Sequence, residues 1–211
     1  MPEERGAFIT LEGGEGAGKS TQIGLLADRL TAVGRKIVRT REPGGAPGAE
    51  EIRRLLVEGS PARWDSMTET LLHLAARRDH LRAIVRPALE EGSWVVCDRF
   101  SDSTVAYQGF GHGVPRVTIE ELHRLAVEGF KPDLTLILDL PVEEGLRRAG
   151  GRTGDETRYE RMDRAFHERL REGFLTIARE EPERCVVIDS TAPREEVAAR
   201  IWDSVRERLS P

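Results

Sequence analysis

Apolar residues along the chain fall into two alternating rhythms. Short dense runs read as buried strands: Phe8-Ile9-Thr10-Leu11, Lys36-Ile37-Val38-Arg39, Ser93-Trp94-Val95-Val96-Cys97, Leu134-Thr135-Leu136-Ile137-Leu138 and Cys185-Val186-Val187-Ile188. Between them, apolar positions return every three or four residues, as a helix face requires. Ile23, Leu26, Ala27 and Leu30 form one such face, ending at Gly34; Ile119, Leu122, Leu125 and Ala126 form another, ending at Gly129. Met162, Phe166, Leu170, Phe174 and Ile177 mark a long helix, and Val197, Ile201, Val205 and Leu209 a last one after Pro193. Ser66-x-x-Glu69 and Thr118-x-x-Glu121 have the form of capping boxes, and Pro141 is expected at the first position of its helix. Strands alternating with helices predict an α/β fold, a five-stranded parallel sheet covered on both sides, with residues 1–211 forming one domain.

Polar residues that interrupt this pattern carry the chemistry. The helix following Ser66 is apolar over most of its circumference, yet Glu69, His73, Arg77 and His80 line up as one polar stripe. Such a stripe on a buried helix marks a wet cavity or an internal ion pair. The strand at Val95 ends in Asp98-Arg99, and Ser101, Asp102, Ser103, Thr104, Tyr107 and Gln108 follow, too polar for a core. Lys36–Arg39 delivers Thr40-Arg41-Glu42-Pro43-Gly44-Gly45 to a strand's C-terminal end, where open parallel sheets bind ligands. Arg53 and Arg54 sit side by side in the next helical stretch, and spacing does not separate ligand contact from surface charge there. Gly150, Gly151 and Gly154, with Arg147, Arg148, Arg152 and Arg158 around them, have the make-up of a mobile basic lid at about 147–158.

Composition narrows the choices. A net charge of −5 argues against a nucleic-acid coat, although 33% of residues are charged. Lys19, Lys36 and Lys131 are the only lysines, so positive charge rests on arginine, the side chain suited to bidentate phosphate contacts. No apolar run approaches a membrane span, and Met1-Pro2-Glu3-Glu4-Arg5 lacks the apolar segment of a secretory signal. The expected location is the cytoplasm, with Cys97 and Cys185 reduced in the core.

Gly13-Gly14-Glu15-Gly16-Ala17-Gly18-Lys19-Ser20 matches the phosphate-binding pattern G-x-x-x-x-G-K-[ST] in full, with Thr21 continuing into the helix. Backbone N–H groups would face the phosphates of a nucleoside triphosphate, Lys19 would reach the β- and γ-phosphates, and Ser20 would take one position on Mg²⁺. The flanking strand and helix supply the context that the pattern needs. Asp98 stands where such proteins place a second Mg²⁺ anchor.

In order along the chain, the glycine loop, Thr40–Gly45, Ala75-Ala76-Arg77, Asp98-Arg99-Phe100, Ala106-Tyr107-Gln108-Gly109 and Pro132-Asp133-Leu134-Thr135 resemble bacterial thymidylate kinases from Phe8 to Leu209. The resemblance implies a P-loop α/β/α sandwich, a mobile helical lid over ATP, a homodimer, and ATP and dTMP as substrates. It implies that Arg53 and Arg99 hold the dTMP phosphate while Asp98 and Glu15 arrange Mg²⁺ and that acceptor. Arg77 would donate to the thymine carbonyl, Thr104 and Gln108 would complete the base edge, Tyr107 would pack on the sugar, and Glu42-Pro43 would lie beside the base. The loop carries no arginine, so the extra catalytic cation is expected from the lid, as Arg148 or Arg152. One position departs from the family: His73 stands where relatives place a phenylalanine against the base, and an ordinary imidazole titrates near neutrality. Kinases of other nucleoside monophosphates, such as dUMP or UMP, and a non-catalytic nucleotide-binding regulator stay open at this point. A GTP switch does not, because the chain contains no asparagine for an N-K-x-D motif.

Overall fold

The structure is a computed structural model that describes residues 5–60, 63–150, 158–159 and 162–211. Five parallel strands form one sheet in the order β2-β3-β1-β4-β5. They are β1 (Phe8–Glu12), β2 (Ile37–Arg41), β3 (Trp94–Asp98), β4 (Leu134–Asp139) and β5 (Cys185–Asp189). The central strand β1 is buried along its whole length, and its two-residue period sorts it into two faces. Ile9 and Leu11 join a core with α1 (Lys19–Ala32) and α9 (Arg194–Leu209), through Leu26, Leu30, Ile201 and Val205. Phe8, Thr10 and Glu12 face the other way, where Phe8 packs among Val95, Phe100 and Leu89. On that side α8 (Arg164–Glu180) adds Phe166, Leu170 and Phe174 beneath Ile137. Helices on both faces of one sheet make the α/β/α sandwich expected from the alternating pattern.

Several expected helix boundaries move. The N-cap of α3 (Ser66–His80) is Asp65, whose carboxylate accepts from the backbone N–H of Met67 and of Thr68, each at 3.0 Å. An aspartate is a better anionic acceptor there than the Ser66 hydroxyl, so Glu69 is released from a capping role and turns inward. The helix expected to start at Thr118 begins earlier, as α6 (Arg116–Val127), with Pro115 fixing its entry. Pro141 and Pro193 each stand one residue before their helices, α7 (Val142–Ala149) and α9. Helical structure continues beyond α3 and past Pro87. It passes through a π-helical turn, Leu81–Val85, into α4 (Arg86–Glu90), where the Arg86 N–H reaches Leu81 O. Widening the turn by one residue accommodates a proline that has no N–H to give. Cys97 and Cys185 are both free and buried, in β3 and β5.

Candidate active site

The glycine loop leaves the C-terminal end of β1 and runs into α1, with Gly18 in left-handed conformation (φ 91°) at the N-cap. At Gly16 (φ 71°) a Cβ would lie 2.1 Å from the carbonyl oxygen of Gly145 in α7, so only glycine allows that approach. The Lys19 ammonium folds back onto the loop, donating to Gly13 O at 3.0 Å and Gly14 O at 2.9 Å. Burial, reinforced by the nearby Arg99 charge, lowers its pKa to about 8. The Ser20 hydroxyl donates to Asp98 at 3.1 Å, which brings one hydroxyl and one carboxylate together at the adjacent ends of α1 and β3.

Next to Asp98, Arg99 holds a left-handed backbone (φ 70°) that is uncommon for a residue with a side chain. Its guanidinium donates to Gly13 O and Glu15 Oε1, both at 3.0 Å, and to Ser103 Oγ at 3.2 Å, while stacking over the Tyr107 ring at 4.9 Å. Tyr107 donates its hydroxyl proton to the same Glu15 oxygen at 2.6 Å. Burial alone would raise the Glu15 pKa, but Arg99 and then Lys19 outweigh it and hold the carboxyl at about 2. Glu15 is therefore a fixed anion between two fixed cations.

The polar stripe on α3 is both a cavity wall and a set of ion pairs. Arg77, 2% exposed, donates Nε to Glu42 at 2.7 Å and Nη2 to Phe100 O and Thr104 Oγ1 at 3.0 Å each. Its remaining nitrogen, Nη1, is buried without a hydrogen-bond partner among the described residues. His80 bridges Glu42 and Thr40, at 2.8 and 2.6 Å. Glu69 pairs with Arg158 and accepts from Gln108 at 2.8 Å and Tyr159 at 2.9 Å. Because Tyr159 gives its single proton to Glu69, it accepts from His73 Nε2 across 3.0 Å. Burial and then the Arg77 charge push the His73 pKa down to about 3, so the imidazole is neutral at physiological pH. This corrects the expectation of a group titrating near neutrality.

These groups enclose one cavity of about 330 Å³. Its wall holds Glu15 to Ser20 at one end, Asp98, Arg99 and Arg53 in the middle, and Glu42, Pro43, His73, Arg77, Thr104, Tyr107 and Gln108 at the other. Arg53 turns toward it, donating to Pro43 O at 2.7 Å, whereas Arg54 is exposed. Gly13 and Gly14 offer their carbonyls to Lys19, and Thr21 is exposed on the first turn of α1. Arg148 does not line the cavity: it donates to Glu144 at 2.7 Å and to Ser190 O at 3.2 Å. Arg152 and most of the expected lid lie outside the described residues. Arg41, Val57, Phe100, Ser103 and Tyr159 line the cavity outside the expected set, and Glu12 was missed as well. Tyr159, in the cavity wall, follows the arginine-rich segment without any periodic signal. Glu12, an acid closing an apolar strand, carries the same signal as Asp98.

A phosphate loop at one end of a cleft and a buried arginine with an unfilled donor at the other define a phosphotransferase of the P-loop nucleotide kinase class. Comparison with known proteins gives the family. A profile of the thymidylate kinase family matches residues 11–201. Thymidylate kinase of Caulobacter vibrioides is 57% identical over 205 residues, covering 97% of this chain and 98% of that one. Thymidylate kinase of Bradyrhizobium sp. strain ORS 278 is 54% identical over 207 residues, covering 97% and 92%. The crystal structure of thymidylate kinase from Ehrlichia chaffeensis superposes with a TM-score of 0.76 at 35% identity, over 95% of this chain and 99% of that one. The chain belongs to the thymidylate kinase family, and its reaction is transfer of the ATP γ-phosphoryl group to dTMP.

Proposed function

We propose that the cleft binds ATP at the glycine loop and dTMP at the α3 end, and that Arg99 is the cation under the acceptor phosphate. The observation that carries this reading is the placement of Arg99, tied at once to the glycine loop through Gly13 O and to Glu15. A phosphate held there lies between the donor loop and the base end. Arg53, anchored at Pro43, completes the clamp on the same oxygens. Transfer to an acceptor already anionic near neutrality needs no general base, so positioning and charge stabilisation do the catalysis. Lys19 would exchange its two carbonyl contacts for the β- and γ-phosphates.

Among the described residues no group of three or more His, Cys, Asp or Glu is gathered as a metal cage. The paired oxygens of Ser20 and Asp98 instead fit Mg²⁺, which commonly takes one or two protein ligands beside substrate phosphates. When bound, the ion supplies charge neutralisation at the phosphate oxygens. At the base end, Arg77 Nη1 is a desolvated donor suited to a thymine carbonyl, with His73 and Tyr159 as a hydrogen-bonded wall. Tyr107, its hydroxyl held by Glu15, packs on the deoxyribose. Residues 1–211 act as one domain in which segment 147–158 is the lid, with Arg148 and Arg152 as its candidate cations; Arg148 would have to leave Glu144 to serve. The protein works in the cytoplasm as a homodimer.

Coupled ADP formation from Mg·ATP with dTMP, dUMP, UMP, CMP, GMP or no acceptor tests the reading, with the diphosphate product identified. Strong preference for dTMP is expected. Arg99→Ala should lower turnover by ~10³-fold, the scale of losing a transition-state charge contact, against little change for the surface variant Arg206→Ala. Equal effects of the two would overturn the assignment of Arg99.

A further inference from the structure

Arg99 adopts its left-handed backbone without glycine's freedom, so something must hold it there. Glu12, the last residue of β1, is the group placed to do so. Its side chain is fully buried on the sheet face opposite Ile9 and Leu11, and all of its hydrogen bonds go to the segment that follows Arg99. Oε1 accepts from the backbone N–H of Phe100 at 2.7 Å and of Ser103 at 3.3 Å; Oε2 accepts from the Ser103 hydroxyl at 2.6 Å. On the other side of the twist, Arg99 N donates to Leu11 O at 3.0 Å. The backbone is thus pinned to β1 immediately before and immediately after the Arg99 Cα. The link also reaches the side chain, because Ser103 Oγ, committed as a donor to Glu12, accepts from Arg99 Nη1 at 3.2 Å. A glutamine at position 12 keeps one acceptor for Phe100 N but sets an amide N–H donor against the Ser103 hydroxyl, so the bond that aligns Ser103 Oγ with Arg99 Nη1 is lost while the guanidinium keeps its contacts to Gly13 O and Glu15.

We infer that Glu12 is a positioning residue for phosphoryl transfer, holding Arg99 in its left-handed backbone and its guanidinium at the acceptor phosphate through Phe100 N and Ser103. The inference rests on the reading of Arg99 given above. It assigns Glu12 no contact with either substrate. Displacing a phosphate clamp by about 1 Å is on the scale that costs ~10²-fold in rate.

The test is a double-mutant cycle on turnover with Mg·ATP and dTMP, using Glu12→Gln, Arg99→Ala and the double variant, with thermal melting of each. Glu12→Gln is expected to lower kcat/KM for dTMP by ~10²-fold, to leave the KM for ATP within threefold, and to add nothing once Arg99 is alanine. Ser103→Ala cuts the side-chain branch alone and leaves the Phe100 bond; a smaller loss, again absent in the Arg99→Ala background, is expected. It keeps the test open if Glu12→Gln fails to fold. Full-strength effects of either variant in the Arg99→Ala background would overturn the inference, as would near-normal activity of both single variants. Near-normal activity of Arg99→Ala would instead overturn the reading of Arg99 itself, and the Glu12 inference with it.

Discussion

Arg77 is a charged side chain sealed inside the protein by Glu42, Thr104 and the Phe100 carbonyl. Burial opposes ionisation of Glu42, but Arg77 and then His80 hold its carboxyl below the usual range, so the pair is ionised and mutually dependent. Arg77→Met strands a buried carboxylate and should cost about 3–5 kcal/mol in urea unfolding, because the remaining charge has no comparable partner. His73 supports a prediction of pH dependence. Its folded pKa of about 3 lies below the ordinary value of 6.5, so the unfolded chain takes up the proton first. Stability is then lost as pH falls below about 6.5, and His73→Phe removes that loss. The difference in unfolding free energy between His73→Phe and the parent should move in the variant's favour by about 1 kcal/mol per pH unit from pH 6.5 to 5, an upper figure because the ring is half-buried. An NMR titration of the parent should show no His73 transition between pH 5 and 8.

The elements that place these side chains were legible to different degrees. Strands were the clearest, since β1 and β4 are apolar runs with hardly a polar interruption, and the glycine loop was fixed by its own pattern. Helix starts were misread where a cap was chosen by pattern alone: Ser66 and Thr118 fit a capping box, but Asp65 and Pro115 fix the actual entries. Glu69 was legible as part of the α3 stripe but its partner Arg158, far along the chain, was not, and Glu12 was passed over as the end of a core strand. Distance in sequence hides a partner that the fold supplies. The backbone contact between the glycine loop and α7 is another such case. A Cβ at Gly145 would meet Glu15 O at 2.5 Å, so Gly145→Ala should push α7 off the loop and raise the KM for ATP by ~10-fold, on the scale that overpacking distorts a site. Gly24→Ala, whose Cβ enters open space inside α1, should instead stabilise the fold by about 0.5–1 kcal/mol in urea unfolding.

At the scale of the whole molecule, the parallel sheet gathers loop, acid and arginine at the C-terminal ends of β1 and β3, while α3 closes the far side. Two helices on that side, α3 and α6, also expose apolar side chains: Met67 and Leu71 on one, Val117 and Leu125 on the other. Val117 is 70% exposed and Leu125 63%. The proposed homodimer would cover them. Leu71→Glu should shift sedimentation from dimer to monomer, and an unchanged dimer would place the contact elsewhere. No helix among the described residues is long and apolar enough to cross a membrane.

The unfilled Nη1 of Arg77 has one more consequence, for misincorporation. A cytosine in the same pocket presents an amine where thymine presents an oxygen, and two donors would then face each other in a dry site. In the proposed pose the wrong pyrimidine would be rejected by what it fails to accept, and fidelity toward DNA precursors would begin with a hydrogen bond that the protein leaves unmade in itself.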